Sequence, residues 1–281
     1  MKFELNRLPP LPAVLLAIIS VQSGAAIAKS LFPAIGAAGT ASLRIGISAL
    51  LLLVVYRPNL KKLSPSQWKA VIPYGLCLGA MNIIFYFAIE RIPIGLAVTL
   101  EFIGPLALAL FGSKRIIDFL WVLLAGAGIV LIAPFSGKGV DLTGMLLALL
   151  AGIFWAGYII LGGRISKIMD GGKAVATGML FAAILVVPFG LFSERFSNIT
   201  PALLGLGTAL ALLSSAIPFT LEMKALKIIP AKTFSILMSL EPAFAAICAL
   251  IFLGEKLLFH EIIAVVLVII ASAGATLTSK K

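Results

Sequence analysis

Charge-poor apolar runs of roughly twenty residues recur along the chain, separated by short polar gaps, and a helix needs roughly 20 such residues to cross the hydrocarbon core of a bilayer. The runs are 11–30, 38–56, 68–89, 94–112, 116–135, 142–162, 174–192, 201–221, 233–253 and 259–278. They predict an all-α integral membrane protein with ten transmembrane helices. A β-barrel is excluded by their texture: they are continuous and rich in Leu, Ala, Ile and Gly, not short and alternating. Only a helix satisfies each backbone group within its own segment in lipid.

Composition sharpens this picture. Of 281 residues, 61% are hydrophobic and 12% are charged. Soluble domains carry about 25% charged residues, so this chain cannot cover a water-facing surface, and membrane lipid is its solvent. The formal net charge is +11. No basic stretch is interleaved with aromatics, so a nucleic-acid partner is excluded and the charge is read as membrane orientation. With the N-terminus inside, sixteen Lys and Arg residues fall in the inner gaps. Five (Lys29, Arg91, Lys138, Arg195 and Lys256) fall in the outer gaps, and Arg44 lies within a run. Both termini are therefore expected on the cytoplasmic side of the membrane. Lys2 and Arg7, with Ala26-Ile27-Ala28 downstream, also outline a signal peptide. The uncharged stretch 8–28 is nevertheless long enough to span, and the repeat described next needs it as a first helix.

The segment Ala88-Ile89-Glu90-Arg91-Ile92-Pro93 resembles Ala225-Leu226-Lys227-Ile228-Ile229-Pro230 at an offset of 137. The same offset carries Pro105 onto Pro242 and Asp118 onto Glu255, while Glu101 and Glu241 differ by 140, just under one further helical turn. The fourth run thus matches the ninth. The chain divides into two five-helix repeats, 1–137 and 138–281, and an odd number per half inverts the second copy. Inverted repeats are common in secondary transporters, with the substrate site near the midplane between the halves.

Glu101 and Glu241 lie eight and nine residues into their runs. A charge at the bilayer centre costs ~2.5–3.5 kcal/mol on insertion scales, so such residues face the bundle interior, pair or titrate. Both are candidates for binding a substrate ammonium or a coupling proton; the alternative is an acid near a helix end, reaching the interface or capping a neighbour. Arg44 and Lys29 would suit a carboxylate, and with the acids they describe a zwitterion site, unless both cations snorkel to the interface. Gln22 lies in a small polar stretch of the first run. Asn82 and Tyr86 share a face of the third, as do Trp155 and Tyr158 of the sixth. These residues line a cavity or simply pack. Glu222, ending the eighth run, is expected at the interface. Pro105 and Pro242, related by the repeat, are the hinge candidates, since proline removes a backbone donor and kinks a helix; ordinary bundle curvature is the other reading. No P-loop, GxSxG or HExxH pattern occurs, Cys77 and Cys248 lie in apolar runs, and His260 is the sole histidine. No cofactor, metal site or ATP hydrolysis is expected, and uphill transport would draw on an ion gradient or on exchange.

The stretches Ala28-Lys29-Ser30-Leu31-Phe32-Pro33, Met81-Asn82 with Phe85-Tyr86, Leu100-Glu101-Phe102-Ile103-Gly104-Pro105, Asp118-Phe119-Leu120-Trp121, Asp141-Leu142-Thr143-Gly144, Leu221-Glu222-Met223 and Met238-Ser239-Leu240-Glu241-Pro242 carry a further likeness. Spread over runs 1 to 9, they resemble the drug/metabolite transporter superfamily, in its ten-helix group of two EamA-type domains. That resemblance implies efflux of small hydrophilic amino acids, threonine and homoserine first, by rocking of the two halves. The alternatives are a broader metabolite or drug exporter, which a cation-poor, aromatic-rich site would favour, and a non-transporting membrane sensor or enzyme. The latter would need paired acids, His or Cys at one membrane face, or a soluble domain. Glu90, Lys224 and Lys227 depart from the neutral residues expected at those span ends.

Overall fold

The structure is a computed structural model that describes residues 9–92, 94–111, 115–132 and 141–253, with isolated positions between 259 and 274. Every regular element among the described residues is helical. The chain is a helical membrane protein, and among the described residues five helical stretches are individually long and apolar enough to cross a bilayer. The tenth expected span lies largely outside the described residues.

Helix α1, Pro10–Tyr56, covers the first two expected spans and is interrupted only at Gly36, whose φ of 68° and ψ of 176° are non-helical. Glycine occupies this left-handed φ without steric penalty. The interruption turns the chain back on itself. Ser20 and Arg44 would stand about 36 Å apart on a straight helix. Both instead bond the same turn: Ser20 Oγ donates to the Leu213 carbonyl at 2.5 Å and Arg44 Nε to Ser215 Oγ at 2.7 Å. The Ala37 amide, freed at the start of the second arm, donates to Glu90 Oε1 at 3.5 Å. The charge that departs from the family pattern at Glu90 therefore serves a helix N-terminus.

Helix α2, Pro65–Arg91, begins with a full capping box between Ser64 and Gln67. The fourth expected span is broken in two: α3, Ile94–Glu101, and α4, Ile103–Phe111. The helix α5, Ile116–Ile132, follows. Then come α6, Leu142–Ile168, capped by Asp141, and α7, Gly171–Leu191, capped by Asp170. The eighth expected span runs further than its charges suggest, as α8, Pro201–Ala211, a π-helical turn, Leu212–Ala216, and α9, Ile217–Ile228. The ninth is again broken, into α10, Ala231–Met238, and α11, Glu241–Leu253. The ends of α2 and α3 recur 137 residues later as the ends of α9 and α10, the spacing of the sequence repeat.

The largest buried cluster joins α1, α2, α6, α7 and α9. Close backbone approach at glycine holds the broken helix to this frame. A Cβ on Gly104 would lie 1.8 Å from the Gly152 carbonyl oxygen, and one on Gly152 would lie 2.3 Å from that of Glu101. With no hydrophobic drive between helices in lipid, such contacts of small residues supply the packing.

Candidate functional site

Both interruptions carry an acid. Glu101 is the last residue of α3 and Glu241 the first of α11. Pro105 and Pro242 fall in the first turn of the half-helix that follows each break, where a missing N–H has no intrahelical partner to lose. Between the breaks lies a partly open cavity of about 90 Å³. It is lined by Gln22, Arg44, Asn82, Tyr86, Trp155, Glu101, Glu241 and Glu222, with Phe85, Phe219 and Ser214 among the remaining walls. Residues far apart in sequence thus bring charged side chains together in one small chamber whose walls are largely apolar.

The π-helical turn positions Arg44. In a π turn the backbone bonds span five residues, so carbonyls fall out of α-helical register and become available to side chains. Arg44 Nη2 donates to the Ser214 carbonyl, Nε to Ser215 Oγ at 2.7 Å, and Nη1 to Tyr86 Oη at 3.2 Å. The guanidinium also lies 5.5 Å from the centre of the Tyr86 ring. Ser48 Oγ donates to the neighbouring Ala211 carbonyl at 2.9 Å, completing the seam between α1 and the turn. Arg44 is 7% exposed, and this cation is held inside the bundle instead of reaching the interface.

Three carboxylates line the chamber together with the guanidinium. Gln22 Nε2 donates to Glu241 Oε1 at 3.1 Å. Tyr158 Oη donates to Glu222 Oε2 at 2.9 Å. No hydrogen bond reaches the Glu101 carboxylate among the described residues. Glu222 is 5% exposed and lines the chamber, which corrects its expected place at the interface: α9 continues to Ile228 and carries Glu222 inside the bundle. Tyr158 does not line the chamber. It stands behind Glu222, stacked on Tyr74 with centroids 5.4 Å apart and edge-on to Phe219. Asn82 lines the wall and donates Nδ2 to the Leu78 carbonyl of its own helix at 2.7 Å. Trp155 packs its ring at 74° to Phe102, the residue in the gap between α3 and α4. The side chains of Lys29 and Pro242 lie outside the described residues.

Reading spans from charge hid Glu222, because an acid followed by Lys224 and Lys227 looks like a gap. The continuing pattern Met223, Ala225, Leu226 was the signal that the helix goes on. Ser214, Ser215 and Phe219 carried no distinguishing signal, since short polar and aromatic residues are common in such helices.

An uneven charge set in an apolar chamber has a chemical consequence. Three carboxylates with one guanidinium leave an excess of acid that low dielectric makes costly unless a cation or proton joins it. A solute with one carboxylate and one ammonium meets complementary charge at both ends. Discontinuous helices around a small chamber that holds opposed charges are the arrangement of many membrane carriers of small solutes.

Comparison with known proteins agrees. Residues 142–277 match the EamA-like transporter family. The threonine/homoserine exporter RhtA of Salmonella typhimurium is 45% identical over 97% of this chain and 92% of its own length. The protein of that name from Escherichia coli K12 is 43% identical over 99% and 96%. An uncharacterized transporter, YwfM of Bacillus subtilis, is 27% identical over 78% and 76%. A solved crystal structure superposes with a TM-score of 0.74 over 96% of this chain and 98% of its own at 18% identity, and so shares the fold. The chain belongs to the EamA-like transporter family; it is a transporter and not an enzyme.

Proposed function

We propose that this protein is a secondary active exporter of small hydrophilic amino acids, threonine and homoserine foremost, working by alternating access in the bacterial inner membrane. The observation that carries the proposal is the chamber that Arg44 lines together with Glu101, Glu222 and Glu241. Arg44 takes the substrate carboxylate, and an acid takes its ammonium. Glu101, with no hydrogen bond among the described residues, is the foremost partner for the ammonium or for a coupling proton. The near full-length likeness to RhtA supports the substrate class.

The helices form two five-helix halves, 1–137 and 138–281, inverted relative to one another, with both termini in the cytoplasm. The recurrence of helix boundaries at 137 and the breaks beside Glu101 and Glu241 support this arrangement. Rocking of the halves then opens the chamber to each side in turn, with Pro105 and Pro242 at the hinges. Toward the lysine-rich end the helices pack closely behind the chamber. Tyr158 backs Glu222, and a Cβ added to Gly162, one turn further, would meet Leu226 at 2.9 Å and Tyr74 at 3.5 Å.

The test is efflux of labelled threonine and homoserine from vesicles with and without an imposed proton gradient. The wild type should export both, faster with the gradient, and Glu101→Gln should insert normally but export poorly. Equal intracellular amino-acid levels in cells with and without the protein would refute the substrate assignment, and unchanged export by Glu101→Gln would remove that residue from the mechanism.

A further inference from the structure

A second cavity, of about 550 Å³, opens where α6 and α9 end and α2 and α7 begin. Four lysines from four elements line it. Lys62 lies on the short turn after α1, Lys167 in the last turn of α6, Lys173 in the first turn of α7 and Lys227 in the last turn of α9. Asp170 is the one carboxylate in the lining, and it caps α7 by accepting from the Lys173 amide at 3.2 Å. No salt bridge involves any of the four lysines among the described residues.

The positive-inside pattern calls for lysines at one membrane face, and lysines spread apart in solvent would satisfy it. It does not call for four of them, from separate elements, around one open concavity, where their exposed like charges repel even through solvent screening. Lys167 and Lys227 offset the negative ends of their own helices. Lys173 stands at the positive end of α7, where a cation is unfavourable. An anion in the cavity would relieve all four at once.

We infer that this cavity binds a phosphate-type anion, donated either by a phospholipid headgroup at the membrane surface or by free phosphate. Bound there, the anion bridges the entry to α2 with the ends of α6, α7 and α9. Gln67 Nε2 already spans part of that gap, donating to the Ile168 carbonyl at 3.1 Å. The site lies two helical turns beyond Tyr158 along α6, at Ser166 and Lys167, so the anion braces the bundle at this end.

The test is thermal unfolding of the purified full-length protein, which does not depend on transport and so separates this inference from the exporter reading. Wild type is compared in nanodiscs of phosphatidylcholine with and without phosphatidylglycerol, and in neutral detergent with phosphate or chloride at equal ionic strength. Lys62→Gln/Lys173→Gln is set beside Lys61→Gln/Lys69→Gln, a pair on the same face that does not line the cavity. Saturable stabilisation of the wild type should survive in the second pair. In the first, half-saturation should require at least about tenfold more anion, through the loss of two charge-assisted contacts. Stabilisation by phosphatidylglycerol alone assigns a lipid headgroup, and stabilisation by phosphate as well assigns a free anion. A wild type indifferent to both, or equal responses in the two pairs, overturns the inference.

Discussion

Replacing Gly152 by alanine perturbs the chamber without altering any side chain in it. The new Cβ would lie 2.3 Å from the Glu101 carbonyl oxygen and 3.0 Å from its carbon. Carbon-to-oxygen contacts settle at about 3.3–3.6 Å, so the gap must widen by about 1 Å. Backbone stands on both sides of this contact, and no rotamer change relieves it. The break between α3 and α4 must therefore back away from α6, drawing Glu101 from the chamber and Phe102 from Trp155. Overpacking of this kind costs ~1–3 kcal/mol of stability. Misplacing a reacting group by 1 Å costs up to about a hundredfold in rate in enzymes, and a similar sensitivity is expected for a binding acid. The assay is the initial rate of labelled threonine efflux from vesicles, normalised to inserted protein. Gly126→Ala and Gly205→Ala serve as controls, because a Cβ at either position meets nothing within 4 Å. Gly152→Ala should export at least about tenfold more slowly than the controls. Export at the control rate would refute the claim that this glycine contact sets the position of Glu101.

Arg44→Lys keeps the charge but loses the planar fork that reaches Ser214, Ser215 and Tyr86 together, and apparent substrate affinity should fall about tenfold in a binding titration. Affinity equal to wild type would show that charge alone suffices. Tyr158→Phe removes the hydroxyl bonded to Glu222 and leaves the ring stack, so unfolding in detergent should reveal a loss of roughly 0.6–1.7 kcal/mol; no loss would mean that the bond contributes nothing. At the α2–α6 junction, the hydrogen bond from Arg91, at 3.0 Å, holds the exposed Asp141 carboxyl below its usual range, aided by the Gly144 and Thr143 amides. A depressed folded-state value adds stability above about pH 4, lost as pH falls through that value. Asp141→Asn, which retains a good helix cap, should therefore melt below wild type at pH 7 and level with it in strong acid; a gap that persists in acid would contradict the assignment.

Hydropathy alone determined that the chain is helical and membrane-embedded, because lipid forbids an unsatisfied backbone and apolar length sets the crossing. It also singled out Glu101, Glu241 and Arg44, since a charge in hydrocarbon is costly enough to demand a reason. The offset of 137 between Ala88–Pro93 and Ala225–Pro230 led to the expectation that the two acids stand in matching runs. What the pattern could not carry was where helices stop being regular. The break after Glu101, the break before Glu241 and the π turn at Leu212–Ala216 occur inside long, charge-poor stretches, and hydropathy does not distinguish a continuous helix from a broken one. Nor could a one-dimensional pattern join Gln22 to Glu241, Arg44 to Ser215 or Tyr158 to Glu222, pairs separated by 64 to 219 residues. Those partners are chosen by which helices pack together. In lipid that choice rests on the fit of small residues such as Gly104 and Gly152, a property of two surfaces meeting and not of either run by itself.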